Sequence, residues 1–365
     1  MKNKFKIKTN DGSYDVLITQ HLNKSLTLVL NKLSISNKIF VVIDSNVFKC
    51  HSEKINKLLG ELKIKCKYFQ FRTSERAKSL QSVQEIYRLL VEGNFGKDTL
   101  LISIGGGITG DVSGFVASTY MRGIQLIHIP TTITSAVDSA IGGKTGVNFL
   151  TTKNLIGSFY QPKAVLVDTR FFTTLPKIEI HSGIGEILKY GYLSDSNFYN
   201  FILNHQSQLQ SLRRKELNDV LQECIRIKSA IVSMDEKDTR VRKILNFGHT
   251  FAHAFESSSG FKIKHGEAVV AGIVSALFLS SRLGFVNQGE LDVFLKLPLS
   301  FGITQKLCAL KNEEILTEMK LDKKNSNDAI NFVLLKNIGE LLIDVRAERR
   351  DISWALNAMK RLVRV

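Results

Sequence analysis

"TLLISIGGGITGD", residues 99–111, carries an apolar run into a cluster of glycines. A short apolar, β-favouring run enters three consecutive glycines, Gly105, Gly106 and Gly107, followed by Gly110 and Asp111. Apolar runs of this length bounded by glycine predict a strand. Glycines at its end let a backbone approach a pyrophosphate closely, and the N-terminus of a following helix favours anions. The spacing is not G-x-G-x-x-G, so the ordinary dinucleotide fingerprint is absent. A plain strand-to-helix turn is the competing reading.

The same alternation extends outward on both sides. "KIFVVID" (38–44), "CKYFQF" (66–71), "IQLIHIP" (124–130) and "AVLVD" (164–168) read as strands, and "SLQSVQEIYRLLVEG" (79–93) has helical periodicity. Strands alternating with helices predict an α/β domain with a largely parallel sheet, placed over residues 1–175. Beyond it "GEILKYGYL", "ELNDVLQECIRIKSAIVSM", "EAVVAGIVSALFLSSRL" and "DISWALNAMKRLV" are helix-periodic. They predict a mostly helical domain over residues 176–365.

Composition bounds the function. At 365 residues and 44% apolar, the chain can bury about two domain cores. The four cysteines, Cys50, Cys66, Cys224 and Cys308, are far apart and form no C-x-x-C pair. That argues against a disulfide framework or a cysteine zinc site and fits a reducing compartment. No apolar leader core and no run of about 18 apolar residues is present, so a cytoplasmic protein with no membrane partner is expected. The formal charge of +16 raises nucleic acid as a partner, but the basic residues are scattered. A solvated basic surface, suited to an anionic small substrate, is the better reading.

Further residues carry candidate chemistry. Asp44 ends a strand, where a carboxylate can accept hydrogen bonds from a ribose; it can equally be a turn former. "HIPTTITSAVDSAIGGKTGVN" adds Thr131, Thr132, Asp138, Lys144 and Asn148, with a lysine beside glycines suited to phosphate or carboxylate. "GGKT" is not a P-loop, because the first glycine of that motif is missing.

In the helical half, Glu186 and Lys189 stand at i, i+3 among apolar neighbours, so they need partners or a task. Arg242, Asn246, His249 and His253 are spaced 4, 3 and 4, which predicts one polar stripe on a helix. Arg, Asn, His, His is an odd solvent face, and a functional cleft explains it better. His265 precedes another apolar helix. One carboxylate with two histidines would make the catalytic zinc pattern with an open position. Spacing alone leaves open which two histidines join.

At these residues the chain resembles the 3-dehydroquinate synthase family. The resemblance runs through "GGGITGDVSGFVASTYMRG", "IPTTITSAVDSAIGGKTGVN", "KNLIGSFYQPKAVLVDT", "SGIGEILKYG", "NFGHTFAHAFE", "KHGEA" and "LDKK…FVLLKNIG", about residues 40 to 340 in order. It implies a Rossmann-like NAD-binding α/β domain, a helical domain, an active site between them and a homodimer. It implies a divalent metal, zinc or cobalt, on Glu186, His249 and His265. NAD contacts would fall on Asp44, Asn46, Glu75, Lys78, Gly106, Gly107, Asp111, Thr131, Thr132, Asn154, Phe171, Thr174, Leu175 and Glu179. Contacts to a small sugar-phosphate substrate would fall on Asp138, Lys144, Asn148, Lys153, Lys189, Lys228, Arg242, Asn246, His253 and one of Lys323 and Lys324. Arg122 would reach the phosphate from the neighbouring subunit. The implied reaction oxidises a hydroxyl transiently with NAD, eliminates phosphate, returns the hydride and closes a carbocycle by an aldol step. Small departures, His181, Ser74, Ala252 and the missing glycine before Lys153, remove none of the implied ligands.

Overall fold

The computed structural model describes residues 3–33, 38–62, 64–150, 152–321 and 330–364. The chain divides into two compact units, Met1–Pro176 with Leu221–Lys237, and Lys177–Val220 with Asp238–Val365.

In the first unit the strands are β1 (Lys4–Thr9), β2 (Gly12–Ile18), β3 (Lys38–Asp44), β4 (Lys65–Phe71), β5 (Leu100–Gly105), β6 (Gln125–Pro130), β7 (Lys144–Phe149), β8 (Thr152–Phe159) and β9 (Ala164–Val167). Between these strands run the helices α1 (Leu22–Lys32), α2 (Ser45–Gly60), α3 (Leu80–Glu92) and α4 (Gly107–Thr119). Seven strands form one sheet in the order β1-β2-β9-β6-β5-β3-β4. Every pairing in it is parallel except β1 with β2. The central strands β3, β5 and β6 are almost wholly buried, as near-continuous apolar runs require in a parallel sheet covered on both faces. The chain leaves β3 for β4 on one side and returns to place β5 on the other. The carboxyl ends of β3 and β5 therefore flank a topological switch point, where open α/β sheets bind ligands. Asp44 ends β3, and the Gly105–Gly107 turn ends β5. The antiparallel β7–β8 pair lies outside this sheet.

The second unit contains α5 (Lys177–Leu193), α6 (Ser196–Asn204), α7 (Gln206–Gln210), the start of α8 (Arg214–Met234), α9 (His249–Ser258), α10 (His265–Arg282), α11 (Gln288–Phe301) and α12 (Asn312–Leu321). A hairpin of β10 (Asn331–Asn337) and β11 (Glu340–Arg346) and the last helix, α13 (Arg349–Arg364), complete it. From Leu221 on, α8 belongs to the first unit. Helix α10 is apolar nearly all round and forms the centre, packed by α5, α9, α11 and α13. Its buried Ser275 and Ser280 hydroxyls donate to carbonyls one turn back, Ala271 and Ala276, so neither is left unpaired.

The stripe from Arg242 to His253 does not lie on one helix. Val241–Asn246 form a 3₁₀ turn, and α9 starts afresh at His249. Gly248 separates them with φ +78°, a left-handed conformation that glycine adopts without strain. A Cβ there would stand 2.8 Å from the Ile273 backbone nitrogen, so the break seats the chain against α10.

Candidate functional site

Three side chains of the second unit converge. Glu186 lies mid-way along α5, His249 opens α9 and His265 opens α10. His249 Nε2 stands 3.2 Å and His265 Nε2 2.9 Å from the same atom, Glu186 Oε1. One potential ligand atom from each residue lies within 4.8 Å of the other two. The other Glu186 oxygen, Oε2, is 2.6 Å from the Lys189 ammonium, and both residues are fully buried.

Glycines permit this convergence. A Cβ on Gly185 would stand 2.7 Å from the Gly266 carbonyl oxygen, and one on Gly266 only 2.2 Å from Ser182 Cα. Without Cβ atoms α5 and the start of α10 touch backbone to backbone, which brings Glu186 within reach of His265.

Burial opposes the charge on Glu186, but Lys189 and His249 outweigh it and hold the carboxyl well below its ordinary value. Burial, only partly offset by Glu186, takes His249 down to about 4. Burial also opposes a charge on His265, yet hydrogen bonding to Glu186 and Glu256 lifts it to about 10. Two imidazoles and a carboxylate, with both Nε2 atoms aimed at one oxygen and both Nδ1 atoms held from behind, match the donor set of a divalent metal. His253, one turn after His249, stands outside this group. It is half-buried, its ring centroid 5.7 Å from that of His249.

In the first unit, Asp44 caps α2. Its Oδ1 accepts from the Asn46 N–H at 2.8 Å and its Oδ2 from the Thr73 hydroxyl at 2.7 Å. At the glycine turn a Cβ on Gly106 would meet Thr132 Cγ2 at 3.1 Å, and one on Gly107 would meet Ser139 Oγ at 3.2 Å. The glycines there answer to close approach, since both have ordinary backbone angles. The N-cap of α4 is Gly106, which has no side chain to cap the helix, so its first N–H groups receive no hydrogen bond from the N-cap residue. Thr131 is buried, and Thr132 bonds Ser135.

A second cluster joins residues from four parts of the sequence. The Lys78 ammonium bonds Asp111 and Asn154. Asn148 donates to Glu75 Oε1 at 2.9 Å and accepts from the Asn154 N–H at 2.9 Å, while Lys153 lies 3.8 Å from Glu75. Burial raises the Asp111 carboxyl above its ordinary value despite Lys78. Asp138 and Lys228 are likewise paired, the lysine also donating to the Asp138 carbonyl at 2.6 Å.

The remaining expected residues are more dispersed. Phe171 and Thr174 lie in a 3₁₀ turn capped by Asp168, and Leu175 follows it. Lys144 is exposed at the start of β7. Arg122 is exposed and left-handed at φ +60°, beside Met121 at +49°. In the second unit Arg242 is buried, Asn246 half-buried and Glu179 exposed in the first turn of α5. Lys323 and Lys324 lie outside the described residues.

Two residues outside the expected set contact side chains within it. His51 places Nε2 2.7 Å from Thr174 Oγ1 and its ring 5.0 Å from that of Phe171. Glu256 stands behind His265 at 3.2 Å. Its position seven residues after His249, two helical turns on, was the available clue.

The fold is one of known synthases. A solved structure of 2-deoxy-scyllo-inosose synthase complexed with carbaglucose-6-phosphate, NAD⁺ and Co²⁺ matches with a TM-score of 0.88 at 24% identity, covering 97% of this chain and 99% of that one. The 2-epi-5-epi-valiolone synthase of Streptomyces hygroscopicus subsp. jinggangensis, with NAD⁺ and Zn²⁺ bound, matches at 0.87 and 24%, covering 97% and 98%. These likenesses define the fold class. Residues 68–182 match the family described as 3-dehydroquinate synthase N-terminal, and residues 183–325 its C-terminal counterpart. The 3-dehydroquinate synthase of Pelagibacter ubique is 40% identical over 363 residues, 97% of each chain. The chain belongs to the 3-dehydroquinate synthase family, that of the shikimate-pathway enzyme. Among the described residues no helix is long and apolar enough to cross a membrane.

Proposed function

We propose that the chain is a phosphate-eliminating lyase. It converts 3-deoxy-D-arabino-heptulosonate 7-phosphate to 3-dehydroquinate and inorganic phosphate as a cytoplasmic homodimer, using recycled NAD and zinc or cobalt. The observation that carries this reading is the approach of Glu186, His249 and His265 to one point in a member of this family. When bound, the metal polarises the alcohol oxygen, and NAD accepts and returns the hydride.

The chain's own residues supply the rest. Backbone N–H groups at Gly106, Gly107 and the start of α4 receive the pyrophosphate, and Asp44 with Asn46 accepts the ribose hydroxyls. Lys78, Asp111, Asn154, Glu75, Thr131, Thr132, Phe171, Thr174, Leu175 and Glu179 line the nucleotide. Lys144, Lys153, Lys189, Lys228, Arg242 and Arg122 hold the substrate's carboxylate and phosphate, with Asn148 and Asn246 as neutral partners. Asp138 positions Lys228, to which it is already paired. His253 handles a proton on the substrate side of His249. The left-handed backbone at Met121 and Arg122 supports a functional role there, because such strain persists where the surroundings over-determine it. A second protomer is the proposed beneficiary of that arginine.

The purified protein, given substrate, NAD and zinc, is expected to release phosphate and form 3-dehydroquinate in equal amounts. Phosphate without dehydroquinate would point to a different ring closure. NADH accumulating with a simple polyol would point to a dehydrogenase.

A further inference from the structure

The two histidines of the triad differ in what stands behind them. Nδ1 of His249 lies 3.2 Å from the carbonyl oxygen of Phe247, whereas Nδ1 of His265 lies 3.2 Å from Oε2 of Glu256. In both rings Nε2 is the nitrogen that faces Glu186. An imidazole that coordinates through Nε2 carries its proton on Nδ1, so an acceptor at Nδ1 fixes both tautomer and ring plane.

The two acceptors are not equivalent. The Phe247 carbonyl comes with the backbone turn before α9. The carboxylate behind His265 is a matter of side-chain identity at one position. His265 is the first residue of α10, where helices fray, and 34% of its side chain is exposed. Glu256 is 11% exposed at its side chain, where a carboxylate has to have polar partners. The same residue ties down the connection to α10: its carbonyl accepts from the Phe261 N–H at 2.8 Å and the Ser259 hydroxyl at 2.9 Å. One helix, α9, thus carries the ligand His249 and the group that steadies the ligand His265.

We propose that Glu256 is a positioning residue of the metal centre. It holds the His265 Nδ1–H so that Nε2 is fixed toward Glu186 and His249, and its charge strengthens that imidazole as a donor. This rests on the reading of Glu186, His249 and His265 as the ligand set.

The test is Zn²⁺ affinity of the full chain by competition with a chromophoric chelator, together with the visible absorption of the Co²⁺ form. Glu256→Ala is expected to weaken Zn²⁺ binding about 10- to 100-fold and to change the cobalt bands. Glu256→Gln, which keeps an acceptor and loses the charge, is expected to fall between. If Glu256→Ala fails to fold by circular dichroism, the near-isosteric glutamine variant carries the comparison. A Glu256→Gln chain that lost Zn²⁺ affinity only in proportion to a loss of stability in the metal-free protein, with unchanged cobalt bands, would mark a merely structural residue and overturn the proposal. Folded variants with wild-type affinity and an unchanged cobalt spectrum would also overturn it, leaving the ligand set standing. A wild-type chain that bound no metal would overturn the ligand set itself.

Discussion

Glu186 is wholly buried, with an ammonium on one oxygen and two imidazoles at the other. Such a cluster is a weak source of stability, because desolvation offsets most of the Coulombic gain, so its presence argues for a task. Purified Glu186→Ala and His249→Ala proteins should lose bound metal in elemental analysis. His253→Ala should retain metal and lose turnover on the order of 100-fold or more, the scale of a proton-handling group. A metal-free His253→Ala protein would contradict the division of roles. His128 makes a separate prediction. It is buried on β6, and burial alone takes its pKa down to about 4. Between pH 6.5 and about 4 the unfolded chain binds a proton that the folded chain refuses. Stability from this residue is thus fully present above 6.5 and lost as pH falls toward 4, on the order of 3 kcal/mol in all. Urea unfolding of a His128→Gln variant should be less pH-dependent than wild type across that window; identical slopes would contradict it. At this scale the Glu186–Lys189 pair was legible, because two charges among apolar residues demand an explanation. Glu256 was not, because a glutamate near a helix end reads equally well as solvated.

Elements meet at the site through glycine. A Cβ at Gly266 would strike the Ser182 backbone at 2.2 Å, which no rotamer can relieve. Gly266→Ala should therefore destabilise the fold by about 1–3 kcal/mol or more in denaturant unfolding and weaken metal binding, since α5 and α10 must separate. Gly60→Ala is the control: it ends α2, meets nothing within 4 Å, and should change stability by no more than about 1 kcal/mol. Equal effects at the two positions would contradict the close-approach account. The strands around the glycine turn were legible because buried parallel strands are written as continuous apolar runs. The break at Gly248 was not, because Arg242, Asn246, His249 and His253 keep helical spacing across it. A single glycine inside a periodic stretch is compatible with an unbroken helix, and only its approach to α10 reveals the left-handed turn.

For the whole molecule, strand alternation followed by long helical periodicity made both parts of the fold legible. The assignment of Leu221–Lys237 to the first unit was not. Amphipathic periodicity says that α8 has a face to bury and is silent on which core receives it. The β7–β8 and β10–β11 hairpins were also missed as strands, the first because its glycines and polar residues read as a binding loop. The net charge of +16 is compatible with the anionic substrate proposed for this chain. In the proposed reaction NAD is returned rather than consumed as 3-dehydroquinate forms. The most direct test is the count of 3-dehydroquinate formed per NAD when NAD is supplied at about one equivalent per chain with zinc and excess heptulosonate phosphate. Many products per NAD and no accumulated NADH are expected. One reduced NAD per product, or none of that product, would contradict the proposed reaction.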